Sequence, residues 1–213
     1  MLRNHRLFWR QFRQEFQTTG AIAPSGRYLG RALARFVGAS DGAQRVLEVG
    51  PGTGAVTEQI VRRLGPHDDF DLVELNEAFV RRLEERFASE PRFSAVAART
   101  RVLHERLESL PAEVPYDVIV SGLPLNNFAV SEVEQIMQTF ARLLRPGGVL
   151  SFFQYVAVRR AKSLVSNSAE RDRLRGIARA LDEVLHPHEI QRDCVLPNLP
   201  PAWVHHVRLP GAE

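Results

Sequence analysis

Cysteine is nearly missing: Cys194 stands alone among 213 residues. That excludes an internal disulfide framework and a cysteine-based zinc cluster, and it fits a reducing compartment. Lysine is equally scarce, with Lys162 the sole example, so the 28 basic residues are arginine almost throughout. No apolar run approaches the roughly 20 residues that a membrane-crossing helix needs. Arg3, Arg6, Arg10 and Arg13 are not followed by a continuous apolar core, so the first segment does not read as a secretory signal. What remains is ordinary for a globular chain: 44% hydrophobic, 25% charged, 14 Gly, 13 Pro and a mean hydropathy of -0.20. This excludes wholesale disorder, a collagen-like fibre and a coiled-coil rod, and leaves one compact domain with a small terminal appendage as the expectation.

The charge is unevenly placed. The formal net charge is +3, yet residues 1–35 carry seven Arg against Glu15 alone, which is 7 - 1 = +6 and leaves 3 - 6 = -3 for the rest. At about 100° per residue, Leu2, Phe8, Trp9, Phe12 and Phe16 share one arc, with Arg3, Arg6, Arg10 and Arg13 beside it. The spacing predicts an amphipathic helix over 1–19, followed by a domain over 20–213. Aromatic side chains flanked by arginines suit the headgroup layer of an anionic bilayer. The alternative is a first helix packed on the domain with a solvated basic face.

Beyond Ala21–Ser25 (AIAPS), read as a break, helical spacing resumes over 26–37. Then strand-like apolar runs alternate with helical stretches: strands at 45–50, 70–75, 102–104, 117–121 and 149–155, and helices at 55–64, 76–87 and 131–144. Such alternation implies a parallel sheet covered on both faces, an α/β fold. The tail departs from it. A helix over 169–185 precedes two strands, 190–196 and 203–209, joined by a Pro-rich turn and expected to pair antiparallel at a sheet edge.

The turn after the first strand reads Glu48-Val49-Gly50-Pro51-Gly52-Thr53-Gly54. Glycines there let backbone N–H groups approach a ligand closely. Their strict alternation is not the dinucleotide spacing, and it suits a ligand carrying one carboxylate rather than a pyrophosphate. Glu74, at the end of the second strand, is placed to accept hydrogen bonds from ribose hydroxyls.

On these residues the chain resembles the class I S-adenosylmethionine-dependent methyltransferases, whose first motif matches VLEVGPGTG (Val46 to Gly54). The resemblance implies a Rossmann-like seven-stranded sheet with an antiparallel last strand, S-adenosylmethionine as cofactor and S-adenosylhomocysteine as product. It assigns cofactor contacts to Gly50, Gly52, Thr53, Gly54 and Glu74, with Glu48 orienting the turn or meeting the cofactor amino group. Glu105 would supply the adenine contact, and Ser121 and Gly122 would close the site.

Ser121 to Phe128 (SGLPLNNF) ends the fourth strand, where this family places the methyl acceptor. Together with Gly20–Ser25 (GAIAPS), the Pro-Gly-Gly turn leading to Phe153–Tyr155, and Asn198–Ala202 (NLPPA), it is similar to the bacterial phospholipid N-methyltransferases. That implies methyl transfer to the amine of phosphatidylethanolamine and its methylated forms, or of ornithine lipid, by an enzyme peripheral at the cytoplasmic face. Asn126, Asn127, Tyr28 and Tyr155 are the candidate partners of the amine, as hydroxyl or carbonyl acceptors and as ring faces for a cationic nitrogen. Arg27 and Arg31 are candidate headgroup contacts. A competing resemblance is to rRNA adenine dimethylases, but Gly122 and Leu125 depart from both ends of their acceptor tetrapeptide, so no nucleic acid partner is expected. A membrane-adhering module that binds the cofactor without turnover is the reading from another class. No metal is expected: His205 and His206 are adjacent in a strand and point to opposite faces.

Overall fold

The computed structural model describes residues 24–155, 168–198 and 200–209. The expected 1–19 helix, with Phe8, Trp9, Phe12, Phe16 and its arginines, lies outside them. Seven strands form one sheet: β1 (Arg45–Val49), β2 (Asp69–Val73), β3 (Thr100–Leu103), β4 (Tyr116–Ser121), β5 (Leu144–Tyr155), β6 (Glu189–Val195) and β7 (Ala202–Val207). The spatial order is β3-β2-β1-β4-β5-β7-β6. Pairing is parallel from β3 to β5, whereas β7 runs antiparallel to both β5 and β6. The last strand in sequence is therefore wedged between the two before it.

Six α-helices accompany the sheet among the described residues: α1 (Pro24–Leu33), α2 (Thr57–Val61), α3 (Glu77–Ser89), α4 (Pro91–Ser94), α5 (Val130–Leu143) and α6 (Ser168–His188). Strand alternation sends Leu47, Ile119, Leu150 and Phe152 into one core with Phe140 of α5 and Leu181 of α6. Val46, Val118, Val120 and Val204 face a second core with Leu33 of α1, Ile60 of α2 and Leu83 of α3. Both faces are covered, as the near-continuous apolar strands require.

Two of the boundaries that differ from the sequence reading have a clear physical reason. Pro24 and Ser25, read there as a break, form the first turn of α1, where proline's missing N–H has no helical partner to lose. Arg145–Gly148, read as a turn before the fifth strand, lies within β5 as a bulge: Tyr116 pairs with Leu144 and Val118 next pairs with Val149. Gly147 at φ 77° takes up the extra residues.

The two strand histidines separate as alternation demands. His205 stacks on Phe152 at 5.3 Å in one core, and His206 lies 4.9 Å from Phe36 on the other side. His206 bridges Ser151 Oγ (2.8 Å) and Asp193 Oδ2 (3.2 Å). Burial lowers both imidazoles' pKa values and outweighs the carboxylates beside them, so these are neutral packing groups near pH 7.

Candidate active site

The order reverses between β1 and β4, so the ends of these strands flank the crevice where α/β sheets bind ligands. The turn leaving β1 bends through Gly50, Gly52 and Gly54 at φ 68°, 57° and 85°, a left-handed conformation that side chains rarely adopt. It is pinned on three sides. The Gly50 N–H donates to Val73 O at 3.0 Å, tying it to β2, and the Gly52 N–H donates to Glu74 Oε2 at 3.1 Å. From α3, Arg86 Nη1 donates to the carbonyls of Thr53 (3.2 Å) and Gly54 (2.9 Å). Arg86 is itself fixed by Glu90 at 2.7 Å and by stacking 4.0 Å over Phe93.

Gly122, just after β4, closes the approach. Its N–H donates to Val49 O at 2.8 Å, and a Cβ there would sit 2.6 Å from Gly50 O. Because that neighbour is backbone, no side-chain movement could relieve the clash.

Beside this junction opens a cleft whose free space, mouth included, is about 650 Å³. Gly50, Glu74, Leu75 and Glu105 line it from the β1, β2 and β3 ends, with Leu107, Leu123, Phe128 and Ile136 as apolar walls. Apolar walls with a few polar groups among them are the lining that small-molecule sites carry.

Glu74 is almost fully buried, and its Oε1 accepts the N–H groups of Leu75 and Asn76 at 2.8 Å each. Burial raises its pKa against these bonds. A carboxylate offers about four acceptor positions, so with three backbone donors in place it has room for one more. Glu48 contrasts with it: fully buried, with neither carboxylate oxygen hydrogen-bonded. Burial first, then the charge of Glu74, push its pKa up to about 8. Thr57 offsets part of that effect, yet its own hydroxyl is also buried without a partner, so the pair stops short of a hydrogen bond.

The expected site residues are partly gathered. Gly50, Glu74 and Glu105 line the cleft; Gly52, Thr53 and Gly54 continue the turn from Gly50, and Gly122 abuts Gly50. Glu48 and Ser121 lie behind it, fully buried, with Ser121 Oγ accepting from the Leu123 N–H at 3.3 Å. Asn126 and Asn127 fall in a 3-10 turn, Leu125–Asn127, between β4 and α5. Tyr155 ends β5 and packs edge-on to Phe153 at 5.0 Å, on the α1 side of the sheet. Tyr28 is exposed on α1 with Arg27 stacked 5.4 Å from its ring, and Arg31 is exposed one turn on. Among the described residues no hydrogen bond or ring contact joins Tyr28, Tyr155 and Asn126.

The sequence reading missed Arg86, Leu75, Leu107, Phe128 and Ile136. Phe128 closes the quoted SGLPLNNF segment, and Leu75 directly follows Glu74, so adjacency was their signal. Arg86 had none, because 32 residues separate it from the carbonyl it holds.

Comparison with known proteins agrees with this geometry. Residues 47–150 match a methyltransferase domain. The chain is 30% identical over 145 residues to an ornithine lipid N-methyltransferase of Singulisphaera acidiphila, covering 68% of this chain and 74% of that protein. It is 39% identical over 94 residues to a ribosomal RNA small subunit methyltransferase A of Parasynechococcus marenigrum, covering 40% of this chain but 30% of that one. In three dimensions it superposes on an O-methyltransferase from Bacillus cereus in complex with SAH with a TM-score of 0.63, at 16% identity, over 94% and 90% of the two chains.

The residues present fit S-adenosylmethionine as cofactor and S-adenosylhomocysteine as product: a side-chain-free Gly50 at the cleft wall for close approach, the spare acceptor of Glu74 for a ribose hydroxyl, and the apolar cleft beyond for a base. With its motif, its sheet and its relatives in agreement, the chain belongs to the class I S-adenosylmethionine-dependent methyltransferases.

Proposed function

We propose that this enzyme methylates the amine of a membrane lipid headgroup, an ornithine lipid or phosphatidylethanolamine and its methylated forms. The observation that carries the reading is the likeness to an ornithine lipid N-methyltransferase over three-quarters of that protein's length. The 123–128 segment supports it, since Leu123 and Phe128 form a wall of the cleft. So do the exposed Arg27 and Arg31 of α1, which follow directly on the basic, aromatic first segment.

When bound, the cofactor supplies an electrophilic methyl group on a sulfonium. The chain's own residues must hold the acceptor nitrogen in line with it, with a free lone pair, and let its proton depart. Asn126 and Asn127 can accept hydrogen bonds from the amine through their side-chain carbonyls. Burial raises the Tyr155 pKa, so its hydroxyl stays protonated near neutral pH. Its part is then a ring face toward a cationic nitrogen rather than a base. Phe8, Trp9, Phe12 and Phe16 would seat the protein on the bilayer, with Arg3, Arg6, Arg10 and Arg13 against anionic headgroups and attachment confined to the membrane surface. No helix among the described residues is long and apolar enough to cross a membrane.

The test is transfer of labelled methyl from the cofactor to anionic vesicles carrying either lipid, with ribosomal RNA as a parallel acceptor. Label in an amine lipid, and vesicle binding lost on removal of residues 1–17, is the expected result. Label in RNA alone would establish the second reading, which the local likeness to an rRNA methyltransferase favours. Cofactor binding without transfer to any acceptor would leave a binding module.

A further inference from the structure

Resting on the acceptor-side reading of the 122–128 segment, we propose that Arg173 of α6 is a positioning residue that fixes this segment and so sets where the methyl acceptor sits. Its guanidinium Nη1 donates to two carbonyls of the segment, Asn126 at 3.0 Å and Phe128 at 2.5 Å. Those carbonyls flank Asn127, and Phe128 is a wall of the cleft. One half-buried cation thus grips both ends of the stretch that carries the two asparagine candidates.

The grip has a rigid base. α6 crosses α5 so closely that a Cβ on Gly176 would lie 2.6 Å from Val130 Cγ2. Leu181 and Ile177 sink into the same core as Leu125. Within the segment, Asn127 N–H donates to Pro124 O at 2.9 Å and Phe128 N–H to Leu125 O at 3.2 Å, which closes a single 3-10 turn. Hydrogen-bond geometry in such turns is poorer than in an α-helix. A charged donor shared by two backbone carbonyls ties this turn to α6 by bonds stronger than neutral ones.

Three proteins separate this from simple packing: wild type, Arg173→Met and Arg173→Lys. Methionine keeps an apolar stem and loses the donor, while the lysine ammonium can still donate to both carbonyls. With Arg173→Met, the turnover number toward whichever acceptor the wild type methylates should fall about 10- to 100-fold, the scale of a reacting group misplaced by an ångström. Calorimetric affinity for the cofactor should stay unchanged, and Arg173→Lys should recover most of the rate. Amide exchange should quicken across 122–128 in Arg173→Met and stay at the wild-type rate across 45–54. Unchanged exchange in 122–128 would overturn the proposal, as would equal quickening of both stretches or a Lys variant no better than Met. Should the wild type methylate RNA rather than lipid, the lipid reading fails while the exchange result still decides the role of Arg173.

Discussion

Two buried acids on neighbouring strands meet opposite fates. Asp71 of β2 accepts both nitrogens of the Arg101 fork at 2.7 Å, the Tyr116 hydroxyl at 2.8 Å and Arg45 at 3.1 Å. Burial alone would raise its pKa, but the bonds from Arg101 and Tyr116 and the charges of Arg101 and Arg45 outweigh it and hold the carboxylate below its ordinary range. Glu48 of β1, equally buried, has no hydrogen-bonded partner and is pushed up to about 8. The first arrangement completes itself within the sheet. The second, behind the glycine turn, leaves polar capacity unspent, which buried carboxylates seldom do.

The contrast can be broken by titrating stability. Glu48 binds its proton more tightly folded than unfolded, so between its ordinary value of 4.5 and about 8 the wild type should lose stability by up to about 1.4 kcal/mol per pH unit. Glu48→Gln removes that slope, and denaturant unfolding at a series of pH values should show the variant gaining on the wild type as pH rises. A constant difference would mean that the acid is already ionised in the fold.

Asp71 must behave with the opposite sign. Its contribution is present above the unfolded carboxylate value of about 3.9 and disappears as pH falls through its lower folded value. Asp71→Asn should therefore cost about 3 kcal/mol near neutrality, read as a lowered Tm, and the gap should narrow in acid. A gap independent of pH would show that packing, not charge, holds this corner. Glu74 sharpens the comparison from the ligand's side. Glu74→Ala should weaken calorimetric cofactor affinity by about 1.5–3 kcal/mol for each bond lost to the carboxylate, and unaltered affinity would remove it from the site.

Much of this was legible in the sequence, for local reasons. The five parallel strands announce themselves as short apolar runs, and the turn after β1 is written in contiguous residues. The antiparallel tail followed from a short Pro-rich link between its strands. What escaped depends on partners distant in the chain. The β5 bulge is set by its pairing with β4, and α1 begins at Pro24 because proline serves equally as a breaker or a first turn. Arg86 and Arg173 hold the site's backbone from 32 and 47 residues away. In sequence each is one more arginine on a charged helix face.

The wedged position of β7 carries a consequence for how the chain is made. Among the described residues β6 pairs in the sheet with β7 alone, and β5 meets β7 along its outer edge. During synthesis, then, β5 and β6 leave the ribosome with bare edges and stay so until residues 202–207 emerge. A nascent chain that stalls before that point exposes the outer edge of β5 and the whole of β6 at once, the kind of surface that recruits other chains.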